Sequence, residues 1–241
     1  MPRLLERGQR TEKAAAPGGR RRPLRSRVAR LRATHSYRSV LALVFATFLF
    51  ASLAGDEAWT VSVLLLLEAA TLATALWTSG LARSDSRTLH TILAASVVIA
   101  VAMLFTSPTA FEGAVGIITG LLVVGTIAAI AIGVVDQEDV NPQSVTGAVC
   151  IYLLFGILFM FVYSSVAVLG SSAFFAQGTD GTRALRLYFS YVTLATLGYG
   201  DYTPAGDLGH TLAIVEALLG QLYLVTVLAL LVSRLQGRGR D

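Results

Sequence analysis

Thr196, Leu197, Gly198, Tyr199, Gly200 and Asp201 form a stretch whose residue types and spacing suit one kind of chemistry, the coordination of a bare cation. Glycine at alternate positions permits backbone angles that a side chain excludes. The carbonyls of Thr196, Leu197, Gly198 and Tyr199 can therefore turn to one side, and a file of carbonyl oxygens attracts a dehydrated cation. Thr196 adds a hydroxyl, Asp201 closes the run with a carboxylate, and Pro204 ends the loop. Two further carboxylates, Glu68 and Glu216, stand inside apolar runs. An ionisable group is costly there and is a candidate for function, with a hydrogen-bonded structural acid as the alternative. His35, His90 and His210 do not cluster, and Cys150 is the single cysteine. Neither a disulfide framework nor a Cys/His metal site is expected. No phosphate loop or catalytic triad is present, so the sequence does not suggest an enzyme or a cofactor.

The elements that must hold this stretch are membrane helices. Of 241 residues, 54% are hydrophobic and 14% charged, with mean hydropathy +0.66, which excludes an ordinary soluble domain. A hydrocarbon core of about 30 Å requires roughly 20 apolar residues per helix. Six runs qualify as spans, at 38–54, 58–79, 89–107, 113–135, 146–170 and 208–233. The segment between the last two is too polar and too interrupted by glycine to cross. Within it, residues 182–195 predict a helix of roughly 20 Å at 1.5 Å per residue, long enough to reach mid-membrane only. Its C-terminal end carries the negative pole of the helix dipole, which favours a cation. Irregular backbone at that depth is tolerated only where it is buried in protein or lines a water-filled cavity.

Placing both termini in the cytoplasm leaves 17 of the 19 Lys and Arg residues inside, as the positive-inside rule requires. The exceptions are Arg183 and Arg186, and the acidic inside loop at 136–144 is not accounted for by the rule. The expected location is the cell membrane. Residues 1–37 read as a disordered basic arm, attracted to anionic lipid headgroups rather than nucleic acid. The basic stretch, the apolar run from Val40 to Leu53 and the small residues that follow also mimic a signal peptide cleaved near Ala54. The charged region is much too long for that, and the first span is retained.

Thr196-Leu197-Gly198-Tyr199-Gly200-Asp201 resembles the selectivity filter of the potassium channel superfamily, in which four such loops surround the ion. The resemblance covers residues 146–235 as outer helix, pore helix, filter and inner helix. It implies that Thr196, Leu197, Gly198 and Tyr199 replace the hydration shell of K+ and that the functional unit is a homotetramer. It also implies that Asp201 marks the outer mouth and that Tyr188, Phe189 and Val192 take the places of filter-supporting residues. Some relatives carry tryptophan or glutamate there. Leu197 replaces the usual Val or Ile. Gly220, 20 residues after Gly200, aligns with the glycine hinge of simple two-span channels, although glycine in a membrane helix is equally a packing site. Tyr191 joins the aromatic packing around the filter.

The fourth span holds no Lys or Arg between Gly113 and Val135, so the arginine ladder of a voltage sensor is absent. Its Gly116 and Gly120 form a GxxxG pair that predicts a helix contact. The expected protein is thus all-α, with a basic arm (1–37), a four-helix domain without a charged sensor (38–135) and a pore domain (136–241). Seven residues follow Arg234, too few for a ligand-binding domain, so gating is expected to act through the membrane domain, the arm or a partner. The expected activity is passive, potassium-selective conduction. The alternatives are a weakly selective cation channel and a non-conducting regulatory subunit; a secondary transporter lacks a visible inverted repeat.

Overall fold

A computed structural model describes residues 37–81, 91, 94–99, 112–135 and 142–237. Six named helices run through them: α1 (Tyr37–Leu53), α2 (Ala58–Ser79), α3 (Glu112–Val135), α4 (Pro142–Leu169), α5 (Arg183–Leu194) and α6 (Asp207–Gly237). Among the described residues, four helices are long and apolar enough to cross a membrane, contributed by α2, α3, α4 and α6. The chain is therefore an all-helical, multi-pass membrane protein. With 17 residues, α1 is apolar and lies at the lower limit of spanning length. The expected span at 89–107 lies outside the described residues apart from Thr91 and 94–99, which are helical. The basic arm, up to residue 36, lies outside them too, as do His35 and His90.

The helix ends follow local chemistry. Gly80 closes α2 in the left-handed conformation at φ 81°, donating its N–H to the Trp77 carbonyl. Pro142 occupies the first position of α4, where its missing N–H has no intrahelical partner to lose. This starts α4 four residues before the apolar run does. Thr182 caps α5, its hydroxyl accepting from the Leu185 N–H at 3.1 Å.

Packing is centred on α4, which touches α1, α3, α5 and α6, while α2 packs on α1 and α3. The main core joins Val40 and Val44 of α1, Leu64 of α2, Val123 and Ile130 of α3, Leu154 and Met160 of α4, and Leu187 of α5. Cys150 is buried in the same core. Gly116 and Gly120 lie on the α3 face towards α4. A Cβ at Gly116 would stand 3.4 Å from Ser165 Oγ, and one at Gly120 3.7 Å from Phe161 Cβ. The GxxxG pair is thus at a helix contact. A second, aromatic cluster of Phe159, Tyr163, Phe174, Phe175 and Phe189 fixes the outer part of α4, the loop after it and α5 against one another.

Candidate functional site

At 12 residues, α5 is far too short to span a membrane, and its buried face is set by Leu187, Phe189, Ser190, Val192 and Leu194. Its N-terminal end is tied to neighbouring helices. The Asp56 carboxylate accepts from the Arg183 backbone N–H at 3.0 Å, and Arg183 Nη1 donates to Thr60 Oγ1 at 2.8 Å. Arg186 Nε donates to Ser164 Oγ at 2.8 Å, and its Nη1 donates to the carbonyls of Asp180 and Gly181. The two arginines that stood apart in the charge count therefore anchor this helix.

The chain leaves α5 through a tight exit. The N–H groups of Ala195, Thr196 and Leu197 turn back onto the carbonyls of Tyr191, Thr193 and Val192, each at 2.9 to 3.0 Å. Beyond it the backbone alternates. Thr196, Gly198 and Gly200 have φ of 55°, 58° and 75°, while Leu197 and Tyr199 are not among the residues of positive φ. Left-handed angles thus occur at every second residue, two of them at the glycines that tolerate such angles without strain. Thr196 is the only non-glycine residue with positive φ among the described residues, a conformation that costs of order 1–3 kcal/mol and persists only where its surroundings impose it. Gln221 of α6 supplies one restraint, donating from Nε2 to Thr196 Oγ1 at 3.0 Å.

Asp201 is held from two directions. Tyr188 donates its hydroxyl to Asp201 Oδ2 at 2.9 Å, and Gln177 Nε2 donates to the Asp201 carbonyl at 2.9 Å. The Tyr188 ring stacks on Tyr199 with centroids 6.4 Å apart and planes 7° from parallel. The hydrogen bond to Asp201 raises the Tyr188 phenol above the usual tyrosine range, so this donor keeps its proton. The following loop folds back on residues 174–176, where Ala176 N–H donates to Thr203 and Ala205 N–H to Phe174, both at 2.8 Å. Pro204 pairs with Phe175 in an isolated bridge.

The three residues at the filter-supporting places do different work. Tyr188 reaches Asp201; Phe189 is buried in the aromatic cluster; Val192 contributes its backbone carbonyl to Leu197. Tyr191 packs edge-on against Phe48 and donates its hydroxyl to the Leu153 carbonyl at 2.7 Å. It fits because residue 156 is glycine, where a Cβ would stand 2.6 Å from the ring.

Of the two intramembrane acids, Glu216 is fully buried at the junction of three helices. Tyr163 of α4 donates its hydroxyl to Glu216 Oε2 at 2.5 Å, and the Ser190 hydroxyl of α5 lies 2.5 Å from Oε1 and 2.8 Å from the Gly156 carbonyl. Glu216 thereby ties α6 to α4 and α5. Glu68 is also fully buried, in α2, and neither of its oxygens has a hydrogen-bond partner among the described residues. Gly220 lies against the end of α5: a Cβ there would stand 2.5 Å from the Leu194 carbonyl oxygen. Among the described residues no group of three His, Cys, Asp or Glu could hold a metal.

Sequence reasoning missed Gln177, Ser190, Tyr163 and Gln221. The one available signal was a polar side chain within an apolar run, as at Gln221 beside Gly220. For Ser190 and Tyr163 the partner is 26 and 53 residues away, beyond any local pattern.

Residues 164–237 match the family described as ion channel, an interval that takes in the end of α4, α5, the 195–206 segment and α6. The inward rectifier potassium channel Kirbac3.1 of Paramagnetospirillum magnetotacticum is 33% identical over 93 residues, covering 39% of this chain and 30% of that protein. The probable potassium channel protein 2 of Methanocaldococcus jannaschii is 46% identical over 56 residues, covering 22% of this chain and 16% of that protein. The chain thus spans less than a third of the length of either relative. No solved structure matches it significantly.

Proposed function

We propose that the chain is a member of the potassium channel superfamily, to which its matches point, and that it conducts K+ selectively and passively through a homotetrameric pore. The observation that carries this reading is the alternation of left-handed φ at Thr196, Gly198 and Gly200 in an exposed segment at the end of a half-length helix. In this reading α5 is a re-entrant pore helix, and the carbonyls of Thr196, Leu197, Gly198 and Tyr199 with the Thr196 hydroxyl coordinate the permeant ion. Asp201 lies at the outer mouth. One chain provides one wall of the ion path, and closure requires four.

The exposure of a single subunit supports assembly. The filter side chains Leu197 and Tyr199 are 56% and 65% exposed, and α6 leaves Leu218, Leu222 and Val225 open along its length. Irregular backbone cannot face lipid, so the segment is covered by other copies and water. Six spans with both termini in the cytoplasm complete the proposed topology, in the cell membrane.

The test is K+ flux into liposomes containing the purified protein, with Gly198→Ala as control. A Cβ at Gly198 meets nothing within 4 Å, so the substitution acts through its φ of 58° rather than through crowding. The expected result is loss of flux with the four-chain mass intact; unaltered flux in Gly198→Ala would sink the filter assignment. Reversal potentials in mixed K+ and Na+ distinguish this reading from a weakly selective cation channel.

A further inference from the structure

Gln221 is a carboxamide in a largely apolar stretch of α6, exposed on the same helix as the exposed Leu218, Leu222 and Val225. A carboxamide facing lipid leaves its donors and acceptor unsatisfied, so its presence here calls for a polar task. One such task is visible: Nε2 donates to Thr196 Oγ1 at 3.0 Å, joining residues 25 apart in the chain. We propose that Gln221 is a positioning residue that determines specificity, setting through the Thr196 hydroxyl the preference of the adjoining cation site for K+ over smaller ions. The proposal rests on the reading of residues 196–199 as a filter.

Both ends of the bond are held by other contacts. A Cβ at Gly220 would stand 2.5 Å from the Leu194 carbonyl oxygen, so α6 meets the end of α5 in close contact one residue before Gln221. The Thr196 N–H donates to the Thr193 carbonyl at 2.9 Å, and Thr196 alone among the described non-glycine residues holds a positive φ. A hydroxyl carries one hydrogen and two acceptor lone pairs. The Gln221 N–H occupies one lone pair, which leaves a single one for a cation and turns the hydroxyl hydrogen away from it. A donated hydrogen also draws electron density from the oxygen, making it a ligand of weaker field. Na+ is smaller than K+ and more strongly hydrated, so it gives up more on entering the site and depends more on strong-field oxygens. Weakening Thr196 Oγ1 therefore penalises Na+ more than K+.

The experiment measures reversal potentials in mixed K+ and Na+ with the full chain in planar bilayers. Gln221→Leu removes the donor. Gln221→Glu keeps the shape but replaces the donor with an acceptor, which draws the Thr196 hydroxyl hydrogen towards it. The K+/Na+ permeability ratio is expected to fall about fivefold in Gln221→Leu, the ratio set by one ordinary hydrogen bond, and further in Gln221→Glu. The added charge acts alike on two monovalent ions, so a change in the ratio reports the field at Thr196. Thermal dissociation of the assembly is read in parallel: a purely structural role would lower it and leave the ratio unchanged. If one variant does not assemble, the other decides. A K+-selective wild type with the ratio unchanged in the variants would overturn this proposal and leave the filter reading standing, whereas a wild type without K+ flux would overturn both.

Discussion

The Tyr188 hydroxyl donates to Asp201 Oδ2 across 2.9 Å, tying the middle of α5 to the residue that follows Gly200. The same ring stacks on Tyr199, so one side chain restrains both residues that flank Gly200. Tyr188→Phe keeps the stack and removes the hydrogen bond. The bond is exposed, so water competes for it and its loss is felt locally rather than in global stability. The expected outcome is an assembled channel whose current decays faster during sustained conduction, by about fivefold. Macroscopic currents from excised patches measure this, and a decay rate equal to wild type would show that Asp201 is held by other groups.

A deeper restraint lies behind the filter, where Glu216 gathers Tyr163 and Ser190 from two other helices. Glu216→Ala leaves the buried Tyr163 hydroxyl without this acceptor, at a cost of about 1–3 kcal/mol, while Ser190 retains the Gly156 carbonyl. Glu216→Gln retains one carbonyl oxygen and adds donors, so it should cost less. Thermal dissociation of the purified assembly should therefore rank wild type above Gln above Ala. In a double-mutant cycle with Tyr163→Phe the effects should fall short of additivity, because the two groups share one bond. Strict additivity would mean that they stabilise the protein independently.

The sequence made the backbone of the site legible because the requirement is local. Alternate glycines at 198 and 200 and a polar, half-length helical stretch before them are properties of neighbouring residues. The longest helices were legible for the same reason, since apolar length alone identifies a span. The supports were not legible. Glu216 could be recognised as an unusual acid, but its bonds to Ser190 and Tyr163 depend on how α4, α5 and α6 meet. Arg183 and Arg186 stood out only as exceptions to the charge rule, and their partners Thr60 and Ser164 sit in two other helices. Gly220 shows the same limit: the sequence left hinge and packing site equally open, and its close approach to the Leu194 carbonyl depends on how α5 and α6 meet. Gly220→Ala is accordingly expected to lower the dissociation temperature of the assembly. A change in open probability at unchanged stability would restore the hinge reading.

Glu68 presents the opposite situation from Glu216. Its carboxyl is fully buried and both oxygens lack a hydrogen-bond partner among the described residues. Replacing an unsatisfied buried polar group by an apolar one of similar size is neutral or stabilising, by about 1–4 kcal/mol where the group was ionic. Glu68→Leu should therefore raise the thermal stability of the assembly while K+ flux in liposomes continues. A fall in stability would show that the carboxyl has a partner. Stability raised but flux abolished would make Glu68 part of gating.

Voltage should act only weakly on this channel. No basic residue occurs between Gly113 and Val135, so α3 offers the field no arginine to move. Arg183 and Arg186 do not substitute for a sensor, because bonds to Thr60, Ser164 and the Asp180 and Gly181 carbonyls fix them to the scaffold around α5. Each charge that crosses the field contributes about 2.3 kcal/mol per 100 mV, and steep gating requires about 12 or more per tetramer. Ions shifting within the proposed filter supply about one or two, so the conductance curve should be shallow. The measurement is open probability in symmetrical K+ from about −100 to +100 mV, a span over which a full sensor would move by tens of kcal/mol. A steep sigmoid would overturn this expectation and place the moving charge on a segment other than α3 or α5.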